Sequence, residues 1–108
     1  MHRLPVEGIT ITVDRDLEDL VDSFIKNRKK EVTAIEAAIA IDDFAAIDQV
    51  CHDLIGSGVT FGFNFVTYLG RDIRQAASAG DKQQVMVLVK ELKTAFDNLT
   101  IQFEDIEQ

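Results

Sequence analysis

Cys51-His52-Asp53-Leu54-Ile55-Gly56-Ser57-Gly58-Val59-Thr60-Phe61-Gly62 is the stretch on which the reading of this chain turns. It sets a histidine inside an apolar pattern of helical period and follows it with glycines at positions 56 and 58. A glycine inside a helix costs about 1 kcal/mol relative to alanine, because it surrenders the most backbone freedom. Two of them beside a histidine imply a gain that helix propensity does not supply. Either a second helix packs tightly there, or another molecule comes close to the imidazole.

Outward from this stretch the same period continues. Phe44, Ile47, Cys51, Leu54 and Gly58, with Val50 alongside, form the apolar side of a helix that Asp42-Asp43 opens as turn and N-cap. Gly62 reads as its C-terminal glycine and Asn64 as the N-cap of the next helix. Phe65, Val66, Leu69, Ile73, Ala76 and Ala77 stripe that helix, which Gly80 closes. Asp81 caps a final helix, with Gln84 in the capping-box position three residues on. Its apolar residues fall in rows 85-92-99-106 and 89-96-103, which predict a helix running nearly to residue 108 despite β-branched Thr100 and Ile101.

Upstream, Leu17, Leu20, Val21, Phe24, Ile25, Val32, Ile35 and Ile39 recur at three- and four-residue steps. They predict one long helix from an Asp14 N-cap to about Ile41, or two helices with a kink near Arg28–Lys30. Residues 1–13 read as an extended N-terminal arm, since Ile9, Ile11 and Val13 alternate with Thr10 and Thr12. With no convincing second strand to pair with it, the arm is expected to lie across the bundle. The fold expected is all-α: an antiparallel four-helix bundle over residues 14–108, with an additional N-terminal helix or arm.

At 108 residues the chain suits a single domain with one core. Its formal net charge of −8 argues against nucleic acid, because only Arg28-Lys29-Lys30 clusters positive charge, and that run reads most simply as a solvated face. Leu54 to Gly70 is uncharged over 17 residues, but its Ser, Thr, Asn and four Gly make it two buried helix faces around a turn rather than a membrane span. One cysteine permits no internal disulfide and suits a reducing compartment. Met1 to Pro5 has no apolar run of the secretory kind. The expectation is a cytoplasmic protein.

His52 is the leading candidate for chemistry. A step of 100° per residue places it beside the apolar stripe, in a row with Asp48, Ile55, Gly56 and Val59. Asp48, one turn earlier, is positioned to accept a hydrogen bond from Nδ1–H and leave Nε2 bare. Gly56, one turn later, clears space beside the ring. A neutral imidazole attacks phosphorus without a separate base, and the phosphoramidate formed passes its phosphoryl group on readily. The plainer alternative is an ordinary surface histidine. Gly58 suits close helix packing as well as access, and Gly-x-Gly-x-x-Gly is absent because residue 61 is Phe. No metal site is expected: Cys51 and His52 point in different directions, and no Glu-x-x-His pair exists. Cys51 lies on the core stripe and reads as structural. Ser57 has no evident base, and no cofactor is expected.

His52-Asp53-Leu54-Ile55-Gly56-Ser57-Gly58, followed by Phe61-Gly62-Phe63, resembles the H-x-L-K-G-S/A motif of histidine phosphotransfer (HPt) domains. Asp43-Phe44 is similar to the acidic-aromatic pair of that family, and Ala79-Gly80-Asp81 to its turn between the last two helices. The similarity spans roughly Asp16 to Phe103. It implies a phosphocarrier rather than an enzyme, with His52 as phosphoacceptor. It also implies that Gly56 admits the partner, and that a receiver domain brings the Mg²⁺ and most catalytic groups. The implied partners are response-regulator receiver domains and a (hybrid) histidine kinase, with this chain a monomer that binds neither nucleic acid nor membrane. Asp48, Ile55, Gly56 and Val59 would form the partner-binding surface.

One departure bears on mechanism. The family's lysine three residues after the histidine is Ile55 here. Another basic residue substitutes, or the phosphoryl group has a shorter lifetime, or the domain has lost transfer and only docks. Two functions are therefore expected in competition: a phosphorelay intermediate, and a non-transferring helical adaptor for a receiver or kinase. A bare structural bundle with His52 buried is the third.

Overall fold

Short acidic caps and glycine turns cut the chain into its helices. The structure, a computed structural model, describes residues 8–105. Helices α1 (Glu18–Ala40), α2 (Phe44–Phe61), α3 (Asn64–Ser78) and α4 (Lys82–Asp97) follow one another through two- or three-residue connections. Connections this short force neighbouring helices to run antiparallel. α1 packs on α2 and α4, and α3 packs on the same two, which closes the four-helix bundle.

The caps explain the boundaries. Asp43 accepts a hydrogen bond from Ala46 N at 3.1 Å and Asp81 one from Gln84 N at 3.1 Å, each satisfying an orphan donor of its helix. Gly62 ends α2 in the left-handed region at φ 75°, where a side chain would be strained. Asn64, expected as a cap, is instead the first residue of α3, and Phe63 occupies the capping position without a side-chain bond. Phe63 is held there by burial: it is fully enclosed, with its ring centroid 4.6 Å from that of Phe24. α1 is continuous over 23 residues, which is the first of the two alternatives, one long helix without a break near Arg28–Lys30. Arg28 pairs with Glu31 one turn on and lies 5.0 Å over the Phe24 ring, so it grips its own helix, while Lys29 and Lys30 are exposed.

The largest correction concerns the two ends. α4 stops at Asp97, and the segment expected as its last turns is a strand, β2 (Leu99–Glu104), paired in parallel with β1 (Ile9–Asp14). Residues 9–13 are therefore extended, as expected, but they are a paired strand and not a lone arm. Residues 1–7 lie outside the described residues, as does Ile106, the last member of the expected helical row. The register sets Ile9, Ile11 and Val13 beside Leu99, Ile101 and Phe103, and all six pack on the core. In a helix, residues 99, 101 and 103 would spread around the cylinder; in a strand they share one face. Ile9 N donates to Asn98 O at 3.4 Å, giving a carbonyl at the end of α4 a partner. Arg15 adds bonds from Nη2 to Phe103 O and from Nε to Asp105 Oδ1, both 3.1 Å. A single-turn 3₁₀ helix (Arg15–Leu17) leads into α1, with Asp14 accepting from Asp16 N at 3.0 Å. A two-stranded sheet is marginal alone; this one is held by its apolar face.

The feature that positions the candidate site is the close contact of α2 with α3. A Cβ on Gly58 would collide with Thr67 Oγ1 and come within 2.9 Å of Thr67 N and 3.0 Å of Phe63 O. A Cβ on Gly70 would stand 3.1 Å from Ile55 Cγ1 and 3.4 Å from Leu54 Cβ. Thr67, the buried polar residue of this seam, donates from Oγ1 to Ile55 O at 3.1 Å. Gly58 thus serves packing. At Gly56 nothing lies within 4 Å of where a Cβ would stand. Two alanine substitutions two residues apart should therefore have opposite signs. Gly58→Ala should lower stability by about 1–3 kcal/mol through overpacking, whereas Gly56→Ala should raise it by up to about 1 kcal/mol through helix propensity. Urea-unfolding midpoints of the two variants check both.

Candidate functional site

The apolar stripe of α2 turns Ile47, Cys51, Leu54 and Gly58 inward, and the 3.6-residue period then leaves His52 exposed on the helix flank. Among the described residues the imidazole makes no hydrogen bond or ion pair. Beyond it Gly56 leaves open space, and Val59, 64% exposed, continues the same flank. The sequence-predicted residues Asp48, His52, Ile55, Gly56 and Val59 do share one side of α2, but their contacts differ from expectation in two respects.

First, Asp48 does not hold the ring. Its Oδ1 accepts a hydrogen bond from Arg74 Nε of α3 at 2.8 Å, in a pair whose side chains are about half exposed. The Asp48 bond holds the Arg74 guanidinium proton still more firmly. The imidazole orientation is therefore not fixed from the preceding turn. Second, Ile55 is not a free side chain where the related motif has lysine. It is half-buried, and its Cγ1 lies over Gly70 of α3. This residue is spent on the helix seam.

The turn after the histidine is tied down by hydroxyls. Ser57 Oγ donates to Asp53 O at 2.8 Å, Thr60 Oγ1 to Gly56 O at 3.1 Å and Thr67 Oγ1 to Ile55 O at 3.1 Å. Ser57 thus bonds its own helix backbone. Cys51 is fully buried, and burial pushes its thiol up to about 12, with the Asp48 carboxylate acting in the same direction. A thiol so raised stays protonated and unreactive. Among the described residues no group of three or more His, Cys, Asp or Glu side chains converges as metal ligands, and no helix is long and apolar enough to cross a membrane.

Sequence reasoning missed Arg74, Gly70 and Thr67. All three follow from the α2–α3 register, in which pairs 58/67, 55/70 and 51/74 step along the hairpin. The small residues at 58 and 70 were the available signal for that register.

A family model for the Hpt domain matches residues 19–102, most of the chain. No curated protein and no solved structure gives a significant match.

The buried thiol yields a direct test. In the native protein at pH 8, Cys51 should resist iodoacetamide, with modification rising only in denaturant; mass spectrometry of the intact chain reads the outcome.

Proposed function

The chain belongs to the Hpt domain family, and we propose that it relays a phosphoryl group between receiver-domain aspartates of a two-component phosphorelay, with His52 as the phosphoacceptor. The observation that carries this reading is an exposed imidazole in mid-helix with empty space over Gly56 one turn on. A receiver aspartyl phosphate needs an unobstructed path to Nε2, and a side chain at position 56 would stand in it.

In the transfer step, the Nε2 lone pair forms an N–P bond while the P–O bond to the receiver aspartate breaks. The carboxylate leaves with that electron pair. Nδ1 keeps its hydrogen, so the product is a phosphoimidazolium that releases one proton to water. Reversal onto a second receiver restores the imidazole. Phosphoryl transfer of this kind depends on alignment and charge stabilisation more than on covalent work by the protein. The receiver contributes the Mg²⁺ and the groups around the phosphoryl oxygens, and this chain contributes the nucleophile and the docking flank formed by Asp48, Ile55, Gly56 and Val59. Exposed Val59 and half-buried Ile55 give that flank an apolar centre, as protein interfaces favour. In this reading the protein is a cytoplasmic monomer that holds phosphate without an ATP site of its own.

Ile55 motivates the competing reading, an adaptor that docks on a receiver or histidine kinase without accepting phosphate. One experiment separates them. Incubation with phosphorylated receivers should give an acid-labile, alkali-stable label that His52→Gln abolishes. Gly56→Gln should keep or slightly raise the wild-type melting temperature yet lose transfer rate on the order of tenfold or more, because misplacing reacting atoms by an ångström is costly. Receiver binding that survives His52→Gln, with no label on wild type at any time, would establish the adaptor.

A further inference from the structure

A phosphoryl group on His52 brings about two negative charges to a helix flank that already carries Asp48 and Asp53. Position 55, where the related motif supplies a cation, is an isoleucine lying over Gly70. The same Gly70 lets α3 approach closely enough for the residue one turn further along, Arg74, to reach α2. Its Nε meets Asp48 Oδ1 at 2.8 Å. Asp48 and His52 are four residues apart on α2, so their Cβ atoms are about 5–6 Å apart. The guanidinium thus rests one helical turn from the imidazole.

We propose that Arg74 is the phosphoryl-holding cation of this site: when His52 is phosphorylated, its guanidinium bonds the phosphoryl oxygens from across the helix seam, taking the place of the missing lysine. This rests on the phosphocarrier reading above. In the free protein, Asp48 keeps the guanidinium in position. The phosphoryl group then competes for it with twice the charge and three acceptor oxygens. A guanidinium presents its donors in a planar fork, so the Nη groups can reach the phosphoryl oxygens while Nε remains near Asp48. Four other cations already hold carboxylates of their own, Arg28 with Glu31, Lys82 with Asp42, Lys93 with Glu36 and Arg15 with Asp105, and Arg71, the neighbouring cation on α3, is the one the test separates from Arg74. The consequence is a longer-lived phosphohistidine. Hydrolysis of the N–P bond passes through a loose transition state in which the phosphoryl group loses negative charge. A cation therefore stabilises the ground state more than the transition state and slows the loss.

The test loads His52 with potassium phosphoramidate, so no receiver is needed, and follows phosphohistidine decay by ³¹P NMR with His52→Gln as the blank. Arg74→Gln should hydrolyse roughly threefold faster than wild type, a size set by the partial exposure of the pair. Arg74→Lys should recover part of the difference, and added salt should narrow it. Asp48→Asn, which releases the guanidinium, should hydrolyse no faster than wild type. Melting temperatures locate any variant whose fold is disturbed, and the lysine rescue distinguishes charge from packing. Equal decay in wild type and Arg74→Gln would overturn the proposal, as would acceleration by Arg71→Gln alone. Failure of every receiver to label wild type sinks the relay reading instead and leaves the decay comparison standing. A wild type that phosphoramidate cannot label overturns both.

Discussion

The structure depends on how closely two helices touch. Gly58 and Gly70 remove the side chains that would hold α2 and α3 apart, and Thr67 occupies the space with a hydroxyl that bonds the Ile55 carbonyl. A buried threonine at such a seam is tolerable only because its hydroxyl has that partner. The result is a hairpin with little rotational or sliding freedom. Every residue on the outer edges of the two helices is placed by it, including His52 and Arg74.

In the proposed relay, that constraint would let the flank serve chemistry without a cleft. α2 buries Cys51 and Leu54 on either side of His52 in sequence, which anchors the backbone while leaving the imidazole outside. Rigid positioning on a helix is more accurate than positioning on a loop, since neighbouring turns fix the direction of the side chain. The hydroxyl bonds of Ser57 and Thr60 to the carbonyls of residues 53 and 56 firm up the turn that follows. In the proposed relay, a partner meeting this face would find an exposed imidazole, an apolar border and a guanidinium held by a carboxylate.

Periodicity alone misread the C-terminal segment. Leu99, Ile101 and Phe103 alternate at period two, yet residues 99 and 103 also continue the helical rows begun by Val85 and Val89. Propensity at Thr100 and Ile101 favoured a strand, but a strand needs a partner, and the partner is some ninety residues away at Ile9–Asp14. The long-range pairing won because it places six apolar side chains on the core and gives Asn98 O a donor. The Asp48–His52 bond failed for a related reason. A carboxylate four residues before a histidine is close enough, but an arginine from the next helix is closer in charge and reach.

From the chain alone came the four-helix bundle, the caps at Asp43 and Asp81, the turn at Gly62, the apolar faces and the candidacy of His52. These are short-range matters, settled by hydrogen bonding within a turn and by the 3.6-residue period. Tertiary structure decided the parallel pairing of the two ends, the role of Gly58 as packing rather than access, and the pairing of Asp48 with Arg74 of the next helix. Those depend on contacts between residues far apart in sequence, where the register of one element against another is set by volume and burial and leaves no local signature.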